Sequence, residues 1–139
     1  MKIEKVFALS KMKVTKPRLI VYKIFQDASK PLTVKEIRNQ IPKNINKATV
    51  YRIIEKYVEI GLLKEYFFHE DAKRYELMGN PHHHHLICTK CFQIINLDPD
   101  ELEDVINISQ KGISSRYKYT IQAHALEFYG ICPKCTQKR

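Results

Sequence analysis

No run of about 18 apolar residues occurs in this 139-residue chain, so no membrane-spanning helix is expected. Glycine (4) and proline (6) are scarce, and there is no internal repeat and no low-complexity segment apart from one run of four histidines. With 44% hydrophobic residues the chain has enough apolar material for a core, in one domain or two small ones. The opening MKIEKVFALSKMK carries Glu4, lacks a long apolar centre and has no small-residue cleavage site, so it does not read as an export signal. A soluble, cytoplasmic protein is expected, and there disulfides are disfavoured.

What is present is unevenly spread. Residues 1–79 hold 17 Lys and Arg against 9 Asp and Glu, whereas residues 80–139 hold 7 against 6, which leaves nearly all of the +9 net charge in the first part. A basic segment beside a near-neutral one points to a polyanion-binding module joined to something else. In the basic part, TKPRLIVYKIFQDA opens a helix with Thr15 as N-cap and Pro17 in the first turn. PLTVKEIRNQI contains Thr33-x-x-Glu36, a capping box, and Pro42 ends that helix. INKATVYRIIEKYVEIGLL has Asn46 as N-cap, an apolar stripe of Val50, Ile53, Ile54 and Tyr57, and Gly61 as its stop. LLKEYFFHEDAKRYELM then reads as two strands around a turn near His69–Ala72. Three helices followed by a hairpin is the order of a winged helix, a helix-turn-helix variant whose third helix enters the DNA major groove.

GNP, residues 79–81, is a hinge signal. Beyond it HHLIC and FQIINL read as strands, DPDELEDVINISQKG as a helix with acidic residues in its first turn, and YKYTIQAHALEFYG as a long strand or strand pair. The expected architecture is therefore α+β, with a winged-helix DNA-binding domain over 1–79 and a metal-binding α/β domain over 80–139.

The four cysteines, Cys88, Cys91, Cys132 and Cys135, form two Cys-x-x-Cys pairs. No βαβ pattern precedes either pair, so a redox motif is disfavoured; four thiolates fit a closed, structural zinc site. The stretch NPHHHHLICTKC sets four histidines against the first pair. In extended chain, successive side chains face opposite ways, so His82 and His84 share one face and His83 and His85 the other. One run then serves two sites, each needing further ligands, with Glu76, Glu101, Glu103 and His124 as candidates. Histidine with carboxylate suits Fe²⁺, Zn²⁺, Mn²⁺ or Ni²⁺.

From KVTKPRLIV through ATVYRIIE and HHHHLICTKC to FYGICPKC, the chain resembles the ferric uptake regulator family of metal-dependent transcription factors. The resemblance implies a winged helix, a hinge and a C-terminal dimerisation domain. It assigns Cys88, Cys91, Cys132 and Cys135 to structural zinc. It assigns His82, His84, Glu103 and His124 to a metal site in the dimerisation domain, and Glu76, His83 and His85 to a hinge-side site. Tyr51 and Arg52 match recognition-helix contacts, and Arg18 a basic contact; with Arg18, Lys47 is expected on phosphates.

Three departures from the family's pattern stand out. Lys30 replaces a loop histidine, Asn96 replaces a carboxylate, and Phe92-Gln93 stands where a glycine-lysine pair is frequent. The first two leave the hinge-side site short of ligands, with Glu65 or His69 from the wing as candidates to complete it. They also count against a peroxide sensor of the same family. The expected function is a non-enzymatic, homodimeric repressor, binding palindromic double-stranded DNA and controlling metal-ion uptake genes, with Fe²⁺ first and Zn²⁺ second as the regulatory ion. The rivals are a peroxide-responsive relative, a metal-dependent hydrolase and a metal buffer.

Overall fold

In the computed structural model, residues 3–137 are described, apart from the side chains of Glu4, Leu9 and Glu101. The chain falls into two compact units, Met1–Asn80 and Pro81–Arg139.

The N-terminal unit is a winged helix. Its elements are α1 (Ile3–Leu9), α2 (Lys16–Asp27), β1 (Leu32–Thr33), α3 (Val34–Arg38), α4 (Lys47–Glu59), β2 (Leu63–Tyr66) and β3 (Arg74–Leu77). The three strands form a sheet in the order β1-β3-β2, both pairs antiparallel. The capping box expected at α3 is complete: the Glu36 backbone N–H donates to Thr33 Oγ1 at 3.1 Å, and the Thr33 N–H donates to Glu36 Oε2 at 2.8 Å. Asn46 caps α4 by accepting from the Thr49 N–H at 2.8 Å. Gly61, at φ +70°, closes α4 in the left-handed region where glycine carries no Cβ penalty. The core is formed by α2, α3, α4 and the strands, with Val21, Phe25, Ile37, Val50, Ile54 and Tyr57 at or below 3% exposure. Two elements escape the sequence pattern. Helix α1 buries Phe7 against Tyr57, with ring centroids 5.9 Å apart. Strand β1 is only two residues long, too short for a period-two signal. Helix α3 also ends at Arg38, four residues before Pro42.

A charged network ties the wing to α3. Arg74, 5% exposed, donates to Glu36 Oε2 at 2.9 Å, to the Pro31 carbonyl at 3.1 Å and to the Glu70 carboxylate. Lys30 Nζ reaches Glu36 Oε1 at 3.0 Å. Removing one partner of a buried pair leaves an uncompensated charge, which costs about 3–5 kcal/mol. Arg74→Met is therefore expected to destabilise this unit by about that amount in denaturant titrations. Burial opposes ionisation of Glu36, but the Thr33 N–H, Lys30 and Arg74 outweigh it and hold its carboxyl below the ordinary 4.5. A carboxyl depressed on folding contributes stability above its unfolded pKa and loses it as pH falls through the folded one. Stability should thus decline as pH drops below about 4.5, with a shallower decline in Glu36→Gln.

The C-terminal unit contains β4 (His84–Cys88), β5 (Ile94–Leu97), a single 3-10 turn (Pro99–Glu101), α5 (Glu103–Tyr117), β6 (Glu127–Gly130) and α6 (Pro133–Gln137). Its sheet has the order β5-β4-β6, with β5 antiparallel and β6 parallel to β4. The long strand expected over 117–130 is realised only at Glu127–Gly130. Strand β4 is five residues long and offers β6 four rungs, so the preceding segment has no ladder to join. Helix α5 runs through Tyr117 instead and ends on Lys118 in the left-handed conformation. Among the described residues, this unit's buried apolar side chains are Ile87, Ile94 and Cys88, joined by buried His84 and His85. No described residue of α5 is buried, and Val105, Ile108, Ile113 and Tyr117 are 48–72% exposed.

Candidate metal centres and nucleic-acid interface

The cysteines gather because β4 and β6 run parallel. Cys88 ends β4 opposite Gly130, which puts the Cys132–Cys135 segment beside the β4–β5 turn carrying Cys91. All four are free thiols, and their sulfurs lie within 4.8 Å of one another. Cys91 Sγ stands 3.7 Å from Cys132 Sγ. A tetrahedron with zinc–sulfur bonds of about 2.3 Å has edges of about 3.8 Å, so the donor set fits that ion. Backbone N–H groups of Cys132 and Cys91, with that of Lys90 and against burial, push the Cys88 thiol down to about 6. Its thiol neighbours Cys132 and Cys91 push Cys135 up to about 12. Four thiols this close cannot all ionise without a cation among them. The turn between the strands passes through Phe92 at φ 56°. The left-handed region costs a non-glycine residue roughly 1–2 kcal/mol, which gives a physical reason for glycine being frequent there.

A second cluster joins His82, His84, Glu103 and His124, with ligand atoms again within 4.8 Å of one another. His84 opens β4, Glu103 opens α5, and His124 lies in the irregular segment before β6. The Nε2 atoms of His82, His84 and His124 lie 2.9, 3.0 and 3.3 Å from Glu103 Oε1, and His82 Nε2 is 3.0 Å from His124 Nε2. Bonds of about 2.0–2.1 Å to nitrogen and oxygen give tetrahedral edges of about 3.3 Å. Three nitrogens and one oxygen therefore converge on one ion-sized point. Burial opposes ionisation of Glu103, but the bond to His84 and the charges of His82 and His124 prevail and hold it below the ordinary carboxylate range. The Gln110 amide, 3.4 Å from His124 Nδ1, steadies that ring from α5. Gln110 was not foreseen from the sequence; its seven-residue spacing from Glu103 puts it two turns along the same helix face. The side chain of Glu101, the other acidic candidate, lies outside the described residues.

On the opposite face, His83 Nε2 stands 3.2 Å from His85 Nε2, and the Pro81 carbonyl lies 2.8 Å from His83 Nδ1. That bond leaves both Nε2 atoms directed at each other. The alternation predicted for the run thus holds, although regular strand begins only at His84. In the N-terminal unit, Glu76 is buried in β3, where its carboxylate accepts from Tyr66 Oη at 3.2 Å and Asn80 Nδ2 at 3.3 Å. Glu65 pairs with Lys73 at 2.9 Å and is in register with Tyr75, on the sheet face opposite Glu76. His69 lies in the wing turn at φ 56°, edge-on to Phe67. Lys30 is held by Glu36, as described above.

Helix α4 divides cleanly. Val50, Ile53, Ile54 and Tyr57 face the core, while Lys47, Tyr51 and Arg52 are exposed, with the Lys47 ammonium 5.6 Å from the Tyr51 ring centroid. Arg18 on α2 donates to the Lys13 carbonyl at 2.6 Å, and its own carbonyl accepts from Tyr57 Oη at 2.7 Å, which anchors α2 to α4.

A winged helix with a cationic, aromatic outer face on its recognition helix α4, carried in one chain with clustered thiol and imidazole groups, defines a metal-responsive transcriptional regulator. The chain belongs to the Ferric uptake regulator family, whose model matches residues 10–129. It is 31% identical over 133 residues to the ferric uptake regulation protein of Neisseria meningitidis, covering 93% of this chain and 90% of that one. Among solved structures it is similar to the ferric uptake regulator of Vibrio cholerae, at 27% identity and a TM-score of 0.81, covering 94% of this chain and all of that one. It is also similar to the Francisella tularensis regulator determined with iron, at 26% identity and a TM-score of 0.76, covering 91% and 96%. Among the described residues no helix is long and apolar enough to cross a membrane.

Proposed function

We propose that this chain is a homodimeric, DNA-binding repressor of metal-ion uptake genes, with Fe²⁺ as the first choice of regulatory ion and Zn²⁺ as the second. The observation that carries the reading is the convergence of His82, His84, Glu103 and His124 within one chain that also presents Lys47, Tyr51 and Arg52 on an exposed helix face. The cysteine set is read as structural, since four thiolates leave no ligand position for water. Three imidazoles and one carboxylate accept iron or zinc more readily than manganese, which favours oxygen.

Regulation follows from linkage. A ligand that binds the DNA-competent arrangement better than the alternatives shifts the population toward it. Glu103, at the first turn of α5, and His124, before β6, come from separate elements, so holding them together rigidifies the unit expected to dimerise. The hinge-side set of Glu76, His83 and His85 is proposed as the contribution that ties DNA binding to metal, because Glu76 belongs to the N-terminal unit and the histidines to the other. Dimerisation is supported by the exposed apolar side chains of α5, which a lone unit would leave in water. Two recognition helices then meet half-sites one helical turn apart, or a multiple of it, on a palindrome. Arg18 and Lys47 are assigned to phosphates, and Tyr51 and Arg52 to bases. Lys30 and Asn96 weigh against peroxide sensing, and a hydrolase or a metal buffer leaves the exposed face of α4 without a task.

The test is selection from a randomised palindromic DNA library by the full chain, with and without added Fe²⁺ or Zn²⁺. A metal-dependent consensus is expected. Hydrolytic turnover or metal uptake without any DNA selection would contradict the reading.

A further inference from the structure

His124 receives little support from its own backbone. His84 opens β4 and Glu103 opens α5, whereas residues 119–126, on either side of His124, form neither helix nor strand. The ring is therefore oriented by side chains. Its Nε2 lies 3.3 Å from Glu103 Oε1 and 3.0 Å from His82 Nε2, so that nitrogen faces the cluster. Its Nδ1, on the other side of the ring, stands 3.4 Å from the half-buried Gln110 amide. Gln110 follows Glu103 by seven residues, two turns and about 10 Å along α5. One helix thus supplies both a candidate ligand and the group that holds a second one. An imidazole that ligates through one nitrogen carries its proton on the other and donates it to an acceptor that fixes the ring. A primary amide is donor at one end and acceptor at the other, and the two ends are nearly alike in shape.

We infer that Gln110 is the positioning residue of His124, and that its amide turns over with metal occupancy so that His124 Nδ1 has a partner in both states. This deepens, and rests on, the reading made above that His82, His84, Glu103 and His124 hold a divalent ion. When Nε2 bears the ring proton and donates it to Glu103, the Gln110 Nε2–H donates to Nδ1. When Nε2 ligates an ion, its proton has left to solvent and another has been taken up at Nδ1. Gln110 Oε1 then accepts from the Nδ1–H after half a turn about the last side-chain bond. The ring is neutral in both states. An ionised glutamate at this position serves only the second state, and a leucine serves neither.

The test uses the full chain with zinc in its cysteine site and His83→Ala as background, which confines added Zn²⁺ to the four-residue cluster. Zinc affinity is read by competition with a chelator, and exchange of the His124 Nδ1 proton with water by nitrogen-15 NMR of the loaded protein. Gln110→Leu is expected to weaken zinc binding by about 10- to 100-fold and to speed that exchange. Gln110→Glu is expected to bind zinc more tightly than the Gln110 protein, because its charged oxygen accepts from Nδ1–H more strongly and offers no donor to the other tautomer. Unchanged zinc affinity in Gln110→Leu would overturn the inference. Equal weakening in Gln110→Leu and Gln110→Glu would also overturn it, leaving Gln110 as a helix residue that packs near the ring without orienting it. If His124→Ala leaves the zinc stoichiometry of the cluster unchanged, His124 is not a ligand, and the underlying reading fails together with the inference.

Discussion

Replacing Cys88 by serine is expected to unfold the C-terminal unit while the winged helix stays folded. The described apolar interior of the C-terminal unit is Ile87, Ile94 and Cys88 itself, and the remaining buried residues are His84 and His85. An interior of that size does not offset the chain entropy of a unit spanning Pro81–Arg139. The cysteine site joins the end of β4 to the segment after β6 and so closes a long loop. Structural zinc in comparable small folds contributes an apparent 10–16 kcal/mol or so at neutral pH. In the N-terminal unit, Val21, Phe25, Ile37, Ile54 and Tyr57 form a core with no metal ligand in it. Circular dichroism of the variant should retain the helical signal of that unit and lose cooperative unfolding of the other. Zinc content should fall to zero and the dimer should dissociate. An intact, dimeric Cys88→Ser protein would show that these thiols are not structural ligands.

The second large effect concerns salt. With about six to ten phosphates neutralised across the proposed dimer, DNA affinity is expected to fall by about 10³- to 10⁵-fold between 50 and 200 mM salt. Lys47→Ala should weaken binding equally for all sequences and reduce the slope of log affinity against log salt by about one for each phosphate left without its cation. Arg52→Ala should cost about 1–3 kcal/mol and relax preference at one base position in each half-site, leaving the salt slope nearly intact. Equal reductions of slope in both variants would place Arg52 on the backbone and not on a base edge.

Much of this was legible in the residues because the signals were local. Thr33-x-x-Glu36 and Asn46 fix helix starts through their own side chains, and both caps are present. The period of two divided the histidine run correctly, since His82 meets Glu103 and His124 while His83 meets His85. The Cys-x-x-Cys pairs announced a shared site without showing how 40 intervening residues return; the parallel pairing of β4 and β6 supplies that. Other features depend on the partner and not on the segment. The strand read over 117–130 shortened because β4 offers only four rungs. Lys30 appeared as a lost ligand, whereas in the fold it is one end of a network through Glu36 to Arg74. Phe92 stands at a glycine-type position, and only its φ of 56° shows why.

Metal control of DNA binding is tested most directly by one equilibrium measurement. The full chain, with zinc in its cysteine site, is stripped of loosely held metal with a chelator, and its affinity for the selected palindrome is measured at fixed salt before and after addition of Fe²⁺ or Zn²⁺. A coupling free energy of about 1–3 kcal/mol or more, at least a 5- to 150-fold gain in affinity, is predicted. The gain should be abolished in His83→Ala and reduced in Glu103→Gln. Equal affinity of the stripped and loaded protein would contradict the account.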